Sequence, residues 1–302
     1  MYWQKRFNQE DPDAKLKLEM LAIREKHKDF GYRRMHKELG KRDFLVNKKK
    51  VQRIMKELML QVTSFSRKSR KYSSYKGTVG IIAPNRINRR FDTSIPHQKI
   101  TTDTTEFKYY EQDQSGNLQI KKLYLDPFMD MYNKEIINYK ITKQPNGVTI
   151  MEALADAIEA TNDCQFRRTF HSNQGWAYQM KAYGAELKDN KIFQSMSRKG
   201  NCIDNSPIEN FFGLLKQEMY YGRMFHSYEE LEQEIITYIH YYNHERIKEK
   251  LNWMSPVSGT SFFSFSSSLK TIKNRVEFLY SEKVQLLGVT IYIGSFNQML
   301  IQ

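Results

Sequence analysis

Two carboxylates and one amide stand at positions where side chains from separate elements could meet: Asp103, Asn173 and Glu209. Asp103 lies inside a predicted strand, Asn173 follows a later strand, and Glu209 lies in the first turn of a predicted helix. Carboxylates are the ligands that Mg²⁺ prefers. Two such ions about 3.5–4 Å apart can activate the attacking oxygen of a phosphodiester reaction and stabilise the leaving one. The pattern indicates divalent-metal chemistry, although a neutral amide occupies one of the three positions.

Strands and helices alternate through residues 97–258, and these elements must position the three side chains. The β-prone segments are KITTDTTEFKYY, LQIKKLYLDPF, EIINYKIT, FRRTFHS and IFQSMS. Helical periodicity follows Gly147 and recurs in YQMKAYGAELKDN, SPIENFFGLLKQEMY and SYEELEQEIITYIHYYN. This order predicts a mixed α/β fold with a five-stranded sheet.

A separate all-α region is predicted over residues 1–65. Three short helices are indicated, the third with Asn47 as its N-cap and with Val51, Ile54 and Met55 on one apolar face. Lysines and an arginine lie opposite that face. The arrangement predicts a helix-turn-helix-like module.

The net charge of +14 is concentrated at one end of the chain. Residues 1–90 hold 25 Lys and Arg against 9 Asp and Glu, whereas the rest is nearly balanced. Such an excess is typical of a protein that binds a polyanion. Residues 66–96 are basic and Ser-rich and predict a linker between domains.

The bulk composition excludes other classes. No apolar run is long enough for a transmembrane helix, and the polar N-terminus has no signal-peptide core. The two cysteines form no CxxC pattern, which argues against a disulfide scaffold or structural zinc site. We expect a cytoplasmic protein, associated with the bacterial nucleoid.

Four segments together resemble one known family: TTDTTEF, HSNQGWAYQ, SMSRKGNCIDNSPIENFFGLLKQE and YIHYYNHERIKEKLNWMSP. They are similar to the DDE transposases of the insertion-sequence-3 type, relatives of retroviral integrases. The resemblance runs from residue 1 to residue 257 and implies a ribonuclease-H-like core behind the helix-turn-helix part. It also implies two Mg²⁺ or Mn²⁺ ions held by Asp103, position 173 and Glu209. The family's spacing of 35 residues between the second and third ligands is present here.

The sequence departs from the family at two places. Position 173 is Asn instead of Asp, and residues 259–302 form an atypical tail. Asn173 has three interpretations: a turn residue before Gln-Gly, a ligand through its amide oxygen, or a lesion that marks decay or engineering. Glu209 alone would suit a capping box with Ser206 as N-cap.

Other polar residues near the predicted ligands have structural interpretations. Asp126 is interpreted as a turn residue and His171 as a hydrogen-bonding residue at the end of a strand. Asp130 could lie near the site. Tyr241 and Tyr242 suit core packing.

The resemblance implies double-stranded DNA as the partner, namely the ends of a mobile element and its target. Predicted DNA contacts are Tyr32, Arg33, Arg34, Lys48, Lys49, Lys50, Arg53 and Arg246. The expected activity is metal-dependent cleavage at DNA 3′ ends followed by strand transfer, impaired by Asn173. The alternative is an inactive copy that binds element ends, and a third interpretation is a nuclease. A homo-oligomer and a partner encoded in an upstream frame are also expected.

Overall fold

The computed structural model describes residues 11–62 and 80–259, with the side chain of Cys202 excluded. The first part of the predicted linker and all but one residue of the predicted tail lie outside the described residues. No described helix is both long and apolar enough to cross a membrane.

Three helices open the described chain: α1 (Ala14–Lys26), α2 (Tyr32–Lys41) and α3 (Lys48–Glu57). Their apolar faces meet in one cluster, which includes Met20, Met35 and Ile54 with no exposed surface. The predicted cap of α3 is confirmed, because the Asn47 side chain accepts a hydrogen bond of 2.9 Å from the Lys49 amide. The sequence pattern therefore identified all three helices.

A mixed sheet follows. Its strands are β1 (Lys99–Thr102), β2 (Thr105–Gln112), β3 (Leu118–Asp130), β4 (Ile136–Thr142), β5 (Thr169–Ser172) and β6 (Phe193–Met196). β1 and β2 both pair antiparallel with β3, and they form one strand interrupted at residues 103 and 104. β4 pairs antiparallel with β3, whereas β1, β5 and β6 run parallel. Counted in this way, the sheet has the five predicted strands.

The interruption has a local cause in the neighbouring strand. The register that pairs Thr102 with Phe128 and Thr105 with Leu125 continues to place Asp103 opposite Pro127. Proline has no N–H to give to a ladder, so regular pairing lapses beside it. The lapse leaves Asp103 at the carboxyl end of β1 instead of inside a regular strand.

Helices cover both faces of the sheet. They are α4 (Gly147–Ala160), α5 (Lys181–Asp189), α6 (Ser206–Leu215) and α7 (Tyr228–His244). α6 and α7 pack on the face that carries Leu123 and Leu125, and α4 and α5 pack on the face that carries Phe128. The alternation of these residues along β3 is that of a strand buried on both sides. α6 runs on into a π-helical turn, Lys216–Tyr220.

Residues 80–96 differ from the linker prediction, because much of this segment is hydrogen-bonded to the core. The Arg86 amide donates to Ser195 Oγ at 2.9 Å and the Ile81 amide donates to the Gln179 carbonyl at 3.2 Å. Arg89, predicted only as part of a basic stretch, binds the buried carboxylate of Asp204 at 2.9 Å. This part of the chain is therefore an outer layer of the α/β core.

The three N-terminal helices pack directly on the end of the core. Ile247, which is 5% exposed, belongs to their apolar cluster, and Trp253 packs against it. Beneath this contact Glu218 binds Arg246 and lies 3.8 Å from Arg34. The described residues up to Val257 accordingly belong to one compact unit.

Candidate active site

Asp103 and Asn173 lie side by side at the carboxyl ends of parallel strands. β1 and β5 pair with Thr101 opposite His171, and two more steps in this register bring residue 103 beside residue 173. The Asn173 amide nitrogen donates a hydrogen bond to the Asp103 carboxylate. The structure therefore brings together the first two predicted ligand positions.

Glu209 occupies the first turn of α6, and its charge raises the pKa of Asp103. The capping box that Ser206 and Glu209 could have formed is absent, because Ser206 is the first helical residue and Asn205 flanks the helix. Neither side chain caps the helix. The carboxylate of Glu209 is therefore not held back toward a helix cap.

Burial raises the pKa values of the acids in this cleft. It brings the pKa of Asp103 to about 7, with the Thr104 amide opposing the shift and the Glu209 charge adding to it. Burial alone raises the pKa of Glu209 to about 6. Carboxylates held close together with poor access to water repel one another, and a cation relieves that repulsion.

Both the oxygen and the nitrogen of the Asn173 side-chain amide form hydrogen bonds. Its oxygen accepts a hydrogen bond of 2.7 Å from the Gly175 amide, while its nitrogen faces Asp103. This is an Asx-type turn, as the Asn-Gln-Gly sequence suggested. A side chain on Gly175 would place its Cβ 2.8 Å from the Asn173 oxygen, so a larger residue there would have to displace the Asn173 side chain from this turn.

The donor set fits a divalent cation only in part. Asp103 and Glu209 are hard carboxylate ligands of the type that Mg²⁺ or Mn²⁺ takes. Asn173 presents N–H groups toward Asp103, and N–H groups cannot coordinate a cation. Among the described residues no group of three or more His, Cys, Asp or Glu side chains is arranged to hold a metal ion. Asp103 and Glu209 carry carboxylate oxygens, whereas the Asn173 oxygen is used within its own turn.

Three side chains beside the cleft, those of Thr104, Tyr178 and Lys216, were not predicted from the sequence, and a fourth, Asp126, was assigned to a turn. Thr104 donates a hydrogen bond to Asp126, its hydroxyl lies 3.4 Å from that of Tyr178, and the Lys216 charge lowers the pKa of Asp103. Asp126 is not a turn residue as predicted, because it lies within β3 with 4% exposure. A lone acid within the apolar run LYLDPF was the available signal, as was Lys216 two helical turns after Glu209.

Asp130 belongs to a different place. It accepts hydrogen bonds of 2.9 Å from the amides of His97 and Tyr132, at the amino end of β1. It therefore shapes the turn after β3 instead of the cleft.

His171 is a hydrogen-bonding residue, as predicted, and not a ligand. The ring is fully buried, with Nδ1 2.9 Å from Ser195 Oγ and Nε2 2.9 Å from the Asp204 carbonyl. Burial lowers the pKa of His171 to about 4, so the ring is neutral near pH 7.

The predicted DNA contacts fall into two groups. Lys48 and Lys49 are exposed at the start of α3 and form no ion pair with a described residue. Lys50 and Arg53 instead bind the carboxylate of Asp13, which is 8% exposed. The open basic surface of α3 is therefore narrower than its sequence suggests.

The two arginines of α2 each lie near an acid of the α/β core. Arg33 is exposed but lies 3.3 Å from Glu249, and Tyr32 packs against the N-terminal apolar cluster. Arg34 lies partly buried beside Glu218, and burial lowers its pKa. These residues join two parts of the chain.

The prediction that Arg246 contacts DNA is wrong. The residue is 2% exposed, and its guanidinium donates to both oxygens of Glu218 at 2.8 and 2.6 Å. Burial opposes its charge, but the Glu218 carboxylate holds the pKa of Arg246 above its ordinary value. The Tyr238 hydroxyl also donates to Glu218, at 2.8 Å. The enclosed Arg246 side chain therefore has no access to a phosphate. The predicted core packing of the neighbouring Tyr242 is confirmed.

Family models match most of the described chain. Two models described as integrase core domain match residues 93–202 and 209–258, and one described as HTH-like domain matches residues 10–69. The matched regions together contain the described site and all three N-terminal helices.

Curated relatives agree with these matches. The chain is 47% identical over 213 residues to an uncharacterized transposase-like protein of Haemophilus influenzae, covering 70% of this chain and 92% of that one. It is 39% identical over 228 residues to the putative transposase InsK of insertion sequence IS150 from Escherichia coli, covering 76% of each. It is 30% identical over 173 residues to the E. coli transposase InsF of IS3fB, covering 57% of each. With an HTH-like domain ahead of an integrase core, the chain belongs to the DDE transposases of the insertion-sequence-3 type.

Proposed function

We propose that this chain acts on double-stranded DNA as an insertion-sequence transposase whose metal-dependent 3′-end cleavage and strand transfer are impaired by Asn173. One observation carries the impairment. The Asn173 side chain uses its oxygen within its own turn and turns its N–H groups toward Asp103. An aspartate at this position would bring a third negative charge to the cleft, whereas the amide brings none.

Asp103 and Glu209 are the residues that would hold a divalent ion. When bound, such an ion polarises a phosphodiester and activates water or a 3′-hydroxyl for attack. The protein's own contribution is two carboxylates that interact electrostatically and whose pKa values are raised by burial. Lys216 adds a positive charge on the helix that continues from Glu209.

The test compares strand transfer by the wild-type chain and Asn173→Asp, with Mg²⁺ or Mn²⁺, on duplexes that carry the ends of its own element. We expect Asn173→Asp to be faster by on the order of 100-fold, since the variant restores a ligand. Asn162→Asp makes the same chemical change at an exposed position and should leave the rate unchanged. Equal rates for the wild type and Asn173→Asp would refute a ligand role for position 173.

A DNA-binding protein without catalysis is the second candidate, and the committed amide of Asn173 favours it. On this proposal Lys48 and Lys49 contact phosphates, because they remain exposed and unpaired among the described residues. Salt-sensitive binding to element ends without cleavage, even for Asn173→Asp, would support this function. Hydrolysis without joining would instead indicate a nuclease.

A further inference from the structure

Asn205 links the two elements that carry the carboxylates. The residue is 1% exposed and lies immediately before α6, one helical turn ahead of Glu209. Its side-chain oxygen accepts a hydrogen bond from the Thr101 hydroxyl, and its amide nitrogen donates to the Thr102 carbonyl at 3.1 Å. Thr101 and Thr102 are the residues of β1 that immediately precede Asp103.

The side chain of Asn205 does not cap α6, although the residue occupies the N-cap position. Asparagine before a helix commonly accepts a hydrogen bond from an amide in the first turn. Here the side chain makes no such bond, and both ends of the amide bind β1. The two hydrogen bonds of the Asn205 side chain therefore join the start of α6 to β1.

The neighbouring residue ties the same segment to β5. The carbonyl of Asp204 lies 2.9 Å from Nε2 of the neutral, buried His171. The Asp204 carboxylate is held by Arg198 and Arg89. Two consecutive residues thus fasten the start of α6 to both strands whose carboxyl ends carry Asp103 and Asn173.

We propose that Asn205 is a positioning residue that sets the separation between the Asp103 and Glu209 carboxylates. The inference rests on the proposed function, in which these two acids hold a divalent ion. Asn205 touches neither the ion nor the DNA in this role. Residues that orient metal ligands in this way commonly change metal affinity by about 10–100-fold when they are replaced.

The test measures Mn²⁺ binding to the whole chain by electron paramagnetic resonance, in the Asn173→Asp background. Adding Asn205→Ala should raise the Mn²⁺ concentration for half-saturation by about 10–100-fold. The matched control is Asn243→Ala. The Asn243 side chain is also buried, accepts from the Ile136 amide at 3.0 Å and donates to the Ile136 carbonyl at 2.8 Å. It should lower the melting temperature similarly and leave Mn²⁺ binding unchanged.

Thr101→Val covers the case in which Asn205→Ala does not fold, since it removes one hydroxyl and nearly preserves shape. It should weaken Mn²⁺ binding in the same direction. Unchanged Mn²⁺ affinity in the folded Asn205 or Thr101 variant, or an equal loss in Asn243→Ala, would overturn the positioning role. If Asn173→Asp itself binds no Mn²⁺, the proposed function fails first, and this inference fails with it.

Discussion

The amide of Asn173 replaces an electrostatic repulsion with a hydrogen bond. A carboxylate beside Asp103 would add a third negative charge to a cleft in which burial has already raised the pKa values of two acids. The amide instead donates to Asp103. The substitution therefore suits a cleft that is stable without a cation.

Asn173→Asp is therefore expected to lower the stability of the metal-free protein while strengthening metal binding. Asn173→Asp should lower the melting temperature in EDTA by a few degrees, roughly what 1 kcal/mol costs a protein of this size. Mn²⁺ should reverse the loss, because a ligand that binds only the folded state stabilises it. Differential scanning fluorimetry with and without Mn²⁺ measures both effects. A variant as stable as the wild type in EDTA would contradict the repulsion.

Because Arg246 is buried against Glu218, replacing it should lower the stability of the protein without changing its affinity for DNA. Arg246→Met leaves the Glu218 carboxylate buried without its principal partner, which costs about 3–5 kcal/mol when a buried pair is broken. Urea unfolding measures this cost. The double variant Arg246→Met/Glu218→Gln should lose less, because no uncompensated charge remains. A weaker affinity for DNA in the folded Arg246→Met protein would contradict the structural role.

Some of these residues could be identified from the sequence and others could not. The 35-residue spacing to Glu209 is a linear property, so it pointed to position 173 directly. The burial of Arg246 depends on Glu218, 28 residues earlier, whose carboxylate also accepts a hydrogen bond from Tyr238. Residue type alone favours an exposed arginine, so the sequence suggested a DNA contact.

At the scale of elements, α3 combines packing and binding on one short helix. Ion pairs with Asp13 occupy Lys50 and Arg53, which leaves Lys48 and Lys49 exposed at the start of the helix. The N-terminal end of α3 is therefore the part of this helix that we expect to meet DNA.

Replacing Lys48 and Lys49 with alanine should weaken binding to duplex DNA and flatten its salt dependence. Each lost phosphate contact lowers the slope of log affinity against log salt by about 0.9. Fluorescence anisotropy at several salt concentrations measures the slope. Lys188→Ala, an exposed change on α5, is the control and should leave the slope unchanged. An unaltered slope in the double variant would exclude this end of α3 from the interface.

Elements were easier to predict than their ends. Periodicity identified the helices and the five strands, because each buries a continuous apolar face or stripe. It could not show that Pro127 would interrupt the first strand beside Asp103. The sequence also offered Ser206 as the N-cap of α6, whereas Asn205 holds that position and its side chain binds β1 instead of capping the helix.

At the scale of the whole molecule, the N-terminal helices and the core share a charged junction. Asp29 lies there, half-buried, and its carboxylate faces the charges of Glu218, Arg246, Arg24 and Arg34. Burial and then the Glu218 charge raise the pKa of Asp29 to about 6, and the arginines oppose the shift. The folded protein therefore holds this proton at a pH where the unfolded chain has lost it.

The sign of the resulting pH dependence follows from proton binding. Between about pH 4 and pH 6 the unfolded state binds fewer protons at Asp29, so this residue lowers the free energy of unfolding as the pH rises. Asp29→Asn should raise the melting temperature at pH 7.5 and have little effect at pH 4. Asp189→Asn, on the exposed surface, is the control for both measurements. Stabilisation at pH 4 alone would contradict the assignment.

The most direct test of the central claim is a calorimetric titration of Mn²⁺ into the wild-type chain and Asn173→Asp, without DNA. Because both ends of the Asn173 amide are hydrogen-bonded within the protein, we expect the wild type to bind Mn²⁺ about 10–100-fold more weakly than Asn173→Asp. Asp103→Asn in the Asn173→Asp background should remove the gain. Equal Mn²⁺ affinity in the wild type and Asn173→Asp would show that position 173 does not control the metal site.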